Sequence, residues 1–224
     1  MSTSTDKKRK KRNILGIIQA RVASTRLEGK VLKNILGKPM LERQIERVRR
    51  AKTITRLVVA TSQTLDNNPI FSLCASLGIS CFRGSTDDVL DRFFQCTLEY
   101  EPDHIVRLTG DCPLIDPDII DKAVYYHLDG GYDYTSNLHP PTWPDGMDVE
   151  VMNFKCLGDL HEKAFLPSER EHVTPFVYKN PNTYLIGNIE NYSYQSRFRL
   201  TVDEIEDFVL VTKIFTKLYP ENPA

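Results

Sequence analysis

Short apolar runs alternate with amphipathic segments through the first 130 residues of the chain. The apolar runs predict buried strands over residues 14–20, 57–61, 79–82 and 104–108. The segments between them carry apolar residues at helical spacing and predict helices over 39–51, 68–77, 87–100 and 116–128. Strands and helices in this order form a mostly parallel sheet with right-handed crossovers, so we expect an α/β fold.

The regular alternation ends at about residue 132. Residues 147–151 alternate between polar and apolar and predict a strand exposed on one face. A capping-box pattern at 168–171 predicts a helix that continues to about residue 178. A strand at 199–202 and a helix at 204–218 complete the chain. We therefore expect one domain over 13–224, in which residues 132–190 form a small insertion or lid.

Charge is distributed unevenly along the chain. Six consecutive cations occupy residues 7–12, and the polar residues before them predict a disordered basic tail over 1–12. Binding of RNA, DNA or an anionic membrane by this tail is the alternative. Without the tail, 23 basic and 29 acidic side chains remain, which argues against nucleic acid as the partner. No apolar run approaches the roughly 20 residues of a membrane span, so none is expected.

The cysteine pattern favours a reducing compartment. The five cysteines are odd in number and lack C-x-x-C spacing, which is typical of free thiols in the cytoplasm and not of disulfides or a zinc site. Cys112 is disfavoured as a nucleophile because no histidine or other base lies beside it in the sequence.

A basic, hydroxyl-rich loop follows the first predicted strand. Residues 19–30 read QARVASTRLEGK and bring three cations together with two hydroxyls. The carboxyl end of a first α/β strand is where a polyphosphate is expected to bind. We therefore predict that a polyphosphate, such as that of a nucleotide, binds here, with candidate contacts from Gln19, Ala20, Arg21, Ser24, Thr25, Arg26 and Lys30.

Two aspartates follow strands at distant points of the chain. Asp111 stands in a Gly-Asp-x-Pro turn after the strand at 104–108, and Asp203 follows the strand at 199–202. Both carboxylates are predicted at the carboxyl edge of the sheet, where they could bind Mg²⁺ together with phosphate oxygens. Taken singly, each has a structural alternative, because Asp111 also suits a tight turn and Asp203 also suits a helix N-cap.

These motifs in combination resemble the CMP-sugar synthetases, which activate sugar acids with CTP. The loop matches R-x-x-S-T-R-L-x-G-K, and residues 202–208 match V-D-x-x-E-D-hydrophobic. The resemblance spans roughly residues 14–215. It implies a Rossmann-like three-layer nucleotidyltransferase fold, CTP and Mg²⁺, pyrophosphate release and a homodimer. It places Arg21, Arg26 and Lys30 at the triphosphate and Asp111 and Asp203 at the metal, with Lys30, Arg21 and Asp111 as the catalytic set.

The family's spore-coat-polysaccharide branch supplies the remaining candidates. Residues 85–93 resemble its segment beside the nucleotide base, so Ser85, Asp87 and Asp88 are predicted to meet the cytosine and ribose. The alternative is an acidic first turn that the helix dipole stabilises, with Asp87 as a suitable N-cap.

Residues 144–150 and 170–175 match the same branch. On a strand, Asp148 and Glu150 share one face, where they could bind sugar hydroxyls or an amine, and Arg170 and His172 could bind the acceptor's acidic group. A solvated strand face and a capping box are the structural alternatives.

The sequence departs from the family at two places. Glu28 replaces the usual proline before Gly29 and adds a negative charge to the anion-binding loop, and Glu204-Ile205 replaces a usual Thr-Pro. Two other functions therefore stay open. A sugar-nucleotide-dependent glycosyltransferase normally shows D-x-D where this chain has Asp111-Cys112-Pro113, and a catalytically silent nucleotide-binding protein would be consistent with Glu28.

The acceptor is not fixed by the sequence. A nonulosonic acid is the first expectation, a ketodeoxyoctonate-like acid the second, and a phosphorylated or phosphonate small molecule the third. CTP is expected from the resemblance alone, since backbone groups are expected to read the base. Transfer would be direct: an acceptor oxygen attacks the α-phosphorus of CTP in line, and pyrophosphate leaves.

Overall fold

The computed structural model describes residues 12–221, so the predicted tail lies outside the described residues except for Arg12. The strands are β1 (Ile14–Gln19), β2 (Asn34–Ile35), β3 (Lys38–Pro39), β4 (Arg56–Ser62), β5 (Ser80–Gly84), β6 (His104–Thr109), β7 (Tyr134–Ser136), β8 (Glu150–Asn153) and β9 (Ile186–Asn188). The helices are α1 (Met40–Val48), α2 (Asn68–Ser76), α3 (Val89–Tyr100), α4 (Pro117–Gly130), α5 (Phe154–Lys163), α6 (Pro167–His172), α7 (Pro175–Lys179) and α8 (Ile205–Leu218).

Seven strands form the central sheet in the order β5-β4-β1-β6-β8-β7-β9. The first four are parallel to one another, whereas β8 runs antiparallel to both β6 and β7. The predicted α/β fold with a mostly parallel sheet is therefore confirmed. Strand β1 lies between β4 and β6, so the strand order runs in opposite directions on its two sides. The carboxyl ends of these three strands thus form the edge where ligands bind in open α/β sheets.

Helices cover both faces of the sheet and give a three-layer architecture. Strand β1 is buried on both faces because its apolar residues alternate between two cores. One core packs α1, α2, α4 and α8 through residues that include Ile45, Ile70, Ile120 and Val211. The other packs α3, α5 and α7 through residues that include Phe93, Leu157 and Val177.

The segment 132–190 contributes both strands and helices. Its three strands, β7, β8 and β9, extend the central sheet, and α5, α6 and α7 lie beside α3 or one another on one face. Within residues 12–221, no helix combines the length and the hydrophobicity that a bilayer crossing requires.

Several element predictions were wrong in detail. Asp88, not Asp87, caps α3, because its Oδ1 accepts from the Asp91 amide at 2.8 Å. Residues 199–202 form no strand; only an isolated bridge joins Arg199 to Asp145. The helix expected over 168–178 is divided into α6 and α7 at Val173, whose φ of 71° no right-handed helix accommodates.

Candidate active site

The loop after β1 is held in one shape by local hydrogen bonds. The Val22 amide donates to Asn67 Oδ1 at 2.9 Å, and the Gly29 amide donates to the Val22 carbonyl at 3.2 Å. Gly29 has a φ of 62°, a left-handed conformation that glycine adopts without a steric penalty. This turn starts a short 3₁₀ helix at Lys30, so the Lys30 side chain begins at a fixed point of the backbone.

Two aspartates converge on the ammonium of Lys30. Nζ of Lys30 lies 2.9 Å from Oδ1 of Asp203 and 3.4 Å from Oδ2 of Asp111, and it donates to the Val202 carbonyl at 2.8 Å. The backbones are joined as well, because the Val202 amide donates to the Asp111 carbonyl at 2.8 Å. The two strand-end carboxylates that lie far apart in the sequence thus face one cation beside the basic loop.

Asp203 forms ion pairs with three cations, Lys30, Arg26 and Arg199. Arg26 Nη2 lies 2.8 Å from its Oδ1, and Arg199 Nη2 lies 2.7 Å from its Oδ2. Burial raises the pKa of Asp203, but hydrogen bonds from Lys30 and Arg199 outweigh it, so the net pKa is lowered and the carboxylate is ionised. Asp207 has a structural part: it accepts from the amides of Asp203 and Glu204 and completes the capping box of α8.

A cavity of about 330 Å³ opens at this edge of the sheet. It brings together ten of the predicted site residues: Gln19, Ala20, Arg21, Ser24, Thr25, Arg26, Lys30, Asp111, His172 and Asp203. Its wall also includes Arg107, Thr109, Gly110 and Glu171, to which the sequence analysis gave no role. Glu28 is exposed and is not among the residues that line the cavity.

Gly110 allows the two loops to approach closely. Its amide donates to the Gln19 carbonyl at 2.8 Å, and a Cβ at this position would lie 2.8 Å from that same oxygen. A larger residue would therefore push Asp111 away from the loop that carries Lys30.

The segment predicted to meet the nucleotide base lies at the amino end of α3. Ser85 Oγ accepts from the Asp88 amide at 3.1 Å, while Asp87 is exposed. The buried Arg92 donates to the Ser85 carbonyl at 2.8 Å. Burial lowers the pKa of Arg92 to about 10, and repulsion from Arg21 adds to the effect. The position of Val89 in the cavity wall shows that this helix end borders the cavity.

Arg170 and Asp88 bind each other. Nε and Nη2 of Arg170 lie 2.8 and 2.5 Å from Oδ2 of Asp88, and Nη1 donates to the His161 carbonyl at 2.9 Å. The pair ties α6 to the first turn of α3. All three nitrogens of this guanidinium therefore have protein partners in the structure.

Glu150 lies in the buried part of the sheet, so the solvated strand face considered above is wrong for this residue. Glu150 is 3% exposed, forms an ion pair with Arg107 on β6, and accepts from the Tyr134 hydroxyl at 2.6 Å. Burial raises the pKa of Tyr134 well above its ordinary value, so the hydroxyl is the donor. Asp148 precedes β8, and burial raises its pKa to about 7, with repulsion from Asp145 adding to the shift.

The break at Val173 orients the end of α6. Val173 is fully buried with φ 71° and ψ −57°, and the Thr174 amide donates to the His172 carbonyl at 2.9 Å across it. Such a turn is strained for a β-branched residue and persists because the surrounding core fixes it. It leaves Glu171 and His172 exposed on the cavity side of α6.

The cavity wall includes two aspartates, Asp111 and Asp203, as candidate ligands for a divalent cation. Among residues 12–221, no group of three or more histidine, cysteine or acidic side chains is arranged to hold a metal. Mg²⁺ commonly takes only one or two carboxylates and completes its shell with water and phosphate oxygens. Asp111 and Asp203 converge on one cation, Lys30, and so fit a site of that kind.

A three-layer α/β fold with a cationic cavity at the carboxyl edge of its sheet defines this chain as a nucleotidyltransferase. It belongs to the cytidylyltransferase family, whose model matches residues 15–222. The resemblance to the CMP-sugar synthetases that the motifs indicated is thereby confirmed.

Individual relatives cover most of the chain. An uncharacterized protein of Methanocaldococcus jannaschii is 41% identical over 90% of this chain and 82% of its own length. The spore coat polysaccharide biosynthesis protein SpsF of Bacillus subtilis is 36% identical over 92% and 87%. A 3-deoxy-manno-octulosonate cytidylyltransferase of Syntrophotalea carbinolica is 39% identical over 84% and 78%.

A solved structure matches closely as well. The cytidylyltransferase from Leptospira borgpetersenii superposes with a TM-score of 0.88 at 34% identity, covering 92% of this chain and 87% of that one.

Proposed function

We propose that this protein transfers CMP from CTP to a sugar acid and releases pyrophosphate, in an Mg²⁺-dependent reaction that serves surface polysaccharide or glycan biosynthesis. The observation that carries the proposal is the convergence of Lys30, Asp111 and Asp203 at the wall of a cavity lined by Arg21 and Arg26. The octulosonate cytidylyltransferase supports a sugar acid as acceptor, for which a nonulosonic acid is our first choice, and the spore-coat relative supports a role in polysaccharide biosynthesis.

The basic loop is suited to the triphosphate. Arg21 and Arg26 are exposed at the cavity, where their guanidinium groups could contact phosphate oxygens in pairs once Arg26 leaves its ion pair with Asp203. Ser24 and Thr25 add hydroxyl donors, and Gln19 and Ala20 form the floor where β1 ends. Lys30 supplies a compact positive charge to the departing pyrophosphate.

Asp111 and Asp203 would hold the magnesium ion. When bound, the ion would neutralise charge on the α-phosphate and the leaving group. In this structure, Lys30 and Arg26 balance the charge of Asp203. Phosphate oxygens would draw these two cations away from Asp203 and free its oxygens as ligands. The same two side chains thus serve the carboxylates before the nucleotide binds and the phosphates afterwards.

The remaining predicted contacts divide between the base and the acceptor. We assign Ser85, Asp87 and Asp88 to the side of the base and ribose, because the amino end of α3 borders the cavity. His172 and Asp148 belong to the acceptor side, with Glu150 and Arg170 behind them. A homodimer in the cytoplasm completes the proposal, and the five free thiols are consistent with a reducing compartment.

A pyrophosphate-release screen tests the activity. Four nucleoside triphosphates are crossed with nonulosonic acids, ketodeoxyoctonate and phosphorylated small molecules. We expect release with CTP and a sugar acid only. Asp111→Asn should slow turnover on the order of 10²-fold or more and raise the Mg²⁺ concentration required for half-maximal rate.

Three results would count against the proposal or a part of it. Equal rates for wild type and Asp111→Asn would remove Asp111 from the mechanism. CTP binding without turnover across the whole panel would favour a silent nucleotide-binding protein, and sugar transfer from a nucleotide sugar without release from CTP would favour a glycosyltransferase.

A further inference from the structure

Arg107 has unused hydrogen-bonding capacity beside the cavity. It lies on β6, four positions before Asp111, and its side chain is only 11% exposed. Nη1 is held by Glu150, whereas Nε is buried and has no hydrogen-bond partner. Because buried polar groups in native proteins are nearly always paired, this missing partner requires an explanation.

The unsatisfied donors lie on one edge of the guanidinium. Nε and Nη2 form the side of the guanidinium that binds planar two-oxygen groups. Nη2 lies 3.4 Å from Oε1 of Gln19, which is a long distance for a hydrogen bond. Gln19 itself lines the cavity, so movement of this one side chain would open the edge to a ligand.

The opposite edge of Arg107 is fixed. Glu150 lies directly opposite Arg107 in the β6–β8 pairing and accepts a hydrogen bond from Nη1. The other carboxylate oxygen of Glu150 accepts from the Tyr134 hydroxyl at 2.6 Å. Phe93 packs against the guanidinium, 5.9 Å from its ring centroid. These contacts orient the edge formed by Nε and Nη2, on which Nε has no partner and Nη2 has only the long contact with Gln19.

We propose that Arg107 binds the carboxylate of the acceptor, and that Glu150 and Tyr134 are positioning residues that hold its guanidinium. The inference rests on the proposed function and names the group by which the acceptor is recognised. A planar carboxylate with one negative charge matches the free fork. A phosphate dianion is less suited, because Glu150 already places one negative charge on the same guanidinium. Arg170, expected to bind this acid, is instead occupied by Asp88.

The test compares acid and amide forms of one acceptor. N-acetylneuraminic acid and 3-deoxy-manno-octulosonate are assayed with CTP beside their carboxamides. We expect the wild type to prefer the acids, and Arg107→Met to raise the acceptor KM by about 10- to 100-fold and remove the preference, with the KM for CTP unchanged. Arg107→Lys keeps the positive charge but not the two parallel N–H donors, so it should recover only part of the acceptor affinity and acid preference.

Three further variants separate recognition from folding. Arg107→Met alone leaves Glu150 buried without its cation, so the pair Arg107→Met with Glu150→Gln is made as well and should show the same loss of acid preference. Arg47→Met is the matched control, since this half-buried arginine donates to the Ile115 carbonyl away from the cavity. Tyr134→Phe should raise the acceptor KM with little change in kcat.

Calorimetry with the two acids, in the presence of CMP, keeps the inference separate from the catalytic proposal. Acid binding that depends on Arg107 without any pyrophosphate release would support this inference and exclude the proposed activity. Pyrophosphate release from CTP with an unchanged acid preference in the Arg107 variants would support the proposed activity and exclude this inference. Absence of acid binding to the wild type, or turnover with phosphorylated acceptors alone, would overturn the assignment of Arg107.

Discussion

Lys30 and Asp203 are 173 positions apart in the chain, but Nζ of one lies 2.9 Å from Oδ1 of the other. The contact joins the loop after β1 to the residue just before α8. The same ammonium lies 3.4 Å from Asp111, so Lys30 contacts both carboxylates. In the absence of a nucleotide it also offsets part of their mutual repulsion.

Replacement of Lys30 should affect turnover more than folding. Lys30→Met removes a charge proposed to stabilise the leaving pyrophosphate, so kcat should fall by about 10²- to 10³-fold. Asp203 keeps Arg26 and Arg199 as partners, so the protein should still fold. Steady-state pyrophosphate release measures the effect. Lys33→Met, in the same segment but outside the cavity wall, is the control and should keep the wild-type rate.

The ion pair between Asp88 and Arg170 should be measurable as a coupling. The two side chains are 33% and 20% exposed, so the coupling is expected to be about 1 kcal/mol. A double-mutant cycle in urea, built from Asp88→Ser and Arg170→Met, isolates this value. Serine keeps an acceptor for the Asp91 amide and so preserves the cap of α3. Additive losses in the double variant would show that the pair contributes nothing as a unit.

The parts of the molecule that could be predicted from the sequence are those encoded locally. Strand β1 is a continuous apolar run, and the loop after it concentrates three cations within ten residues. The strand and the basic loop both lie within residues 14–30, and the family motifs link this segment to Asp111 and Asp203. The edge of a parallel sheet then brings the three segments together.

The features that were missed depend on pairing between distant segments. Arg107 was read only as part of a strand, because its partner Glu150 lies 43 positions later and their register is set by the antiparallel β6–β8 pairing. An arginine within an otherwise buried strand is the signal that could have identified it. The helix break at Val173 has no local signal, since valine is not a turn residue and the core imposes its conformation.

The cysteines should differ sharply in reactivity. A hydrogen bond from Cys74 lowers the pKa of the half-buried Cys81, although burial opposes it. Burial raises the pKa of Cys112 well above its ordinary value and that of Cys96 to about 12. Because the thiolate is the reactive form, Cys81 should react first with an aromatic disulfide reagent at pH 8. Cys81→Ala should abolish the fast phase, whereas a fast phase that persists would point to another thiol; Cys112→Ala should leave it intact.

The stability of the protein should depend on the ionisation of Asp148. Burial raises the pKa of Asp148 to about 7, whereas an unfolded aspartate titrates near ~3.9. Below about pH 4 both states hold the proton, so Asp148 carries no penalty. Between about pH 4 and 7 only the folded state keeps it, so the contribution of Asp148 to the free energy of unfolding falls as pH rises and is constant above that range.

An asparagine at position 148 imitates the protonated carboxyl group. Asp148→Asn should therefore be more stable than wild type by a few kcal/mol at pH 8.5 and equal to it at pH 4. Urea denaturation at the two pH values, in buffer with a chelator so that no bound cation contributes, measures the difference. Asp129→Asn, at an exposed position, is the control and should change stability equally at both pH values. A gain for Asp148→Asn that does not depend on pH would show that the carboxylate is ionised in the folded protein and that the benefit arises from packing.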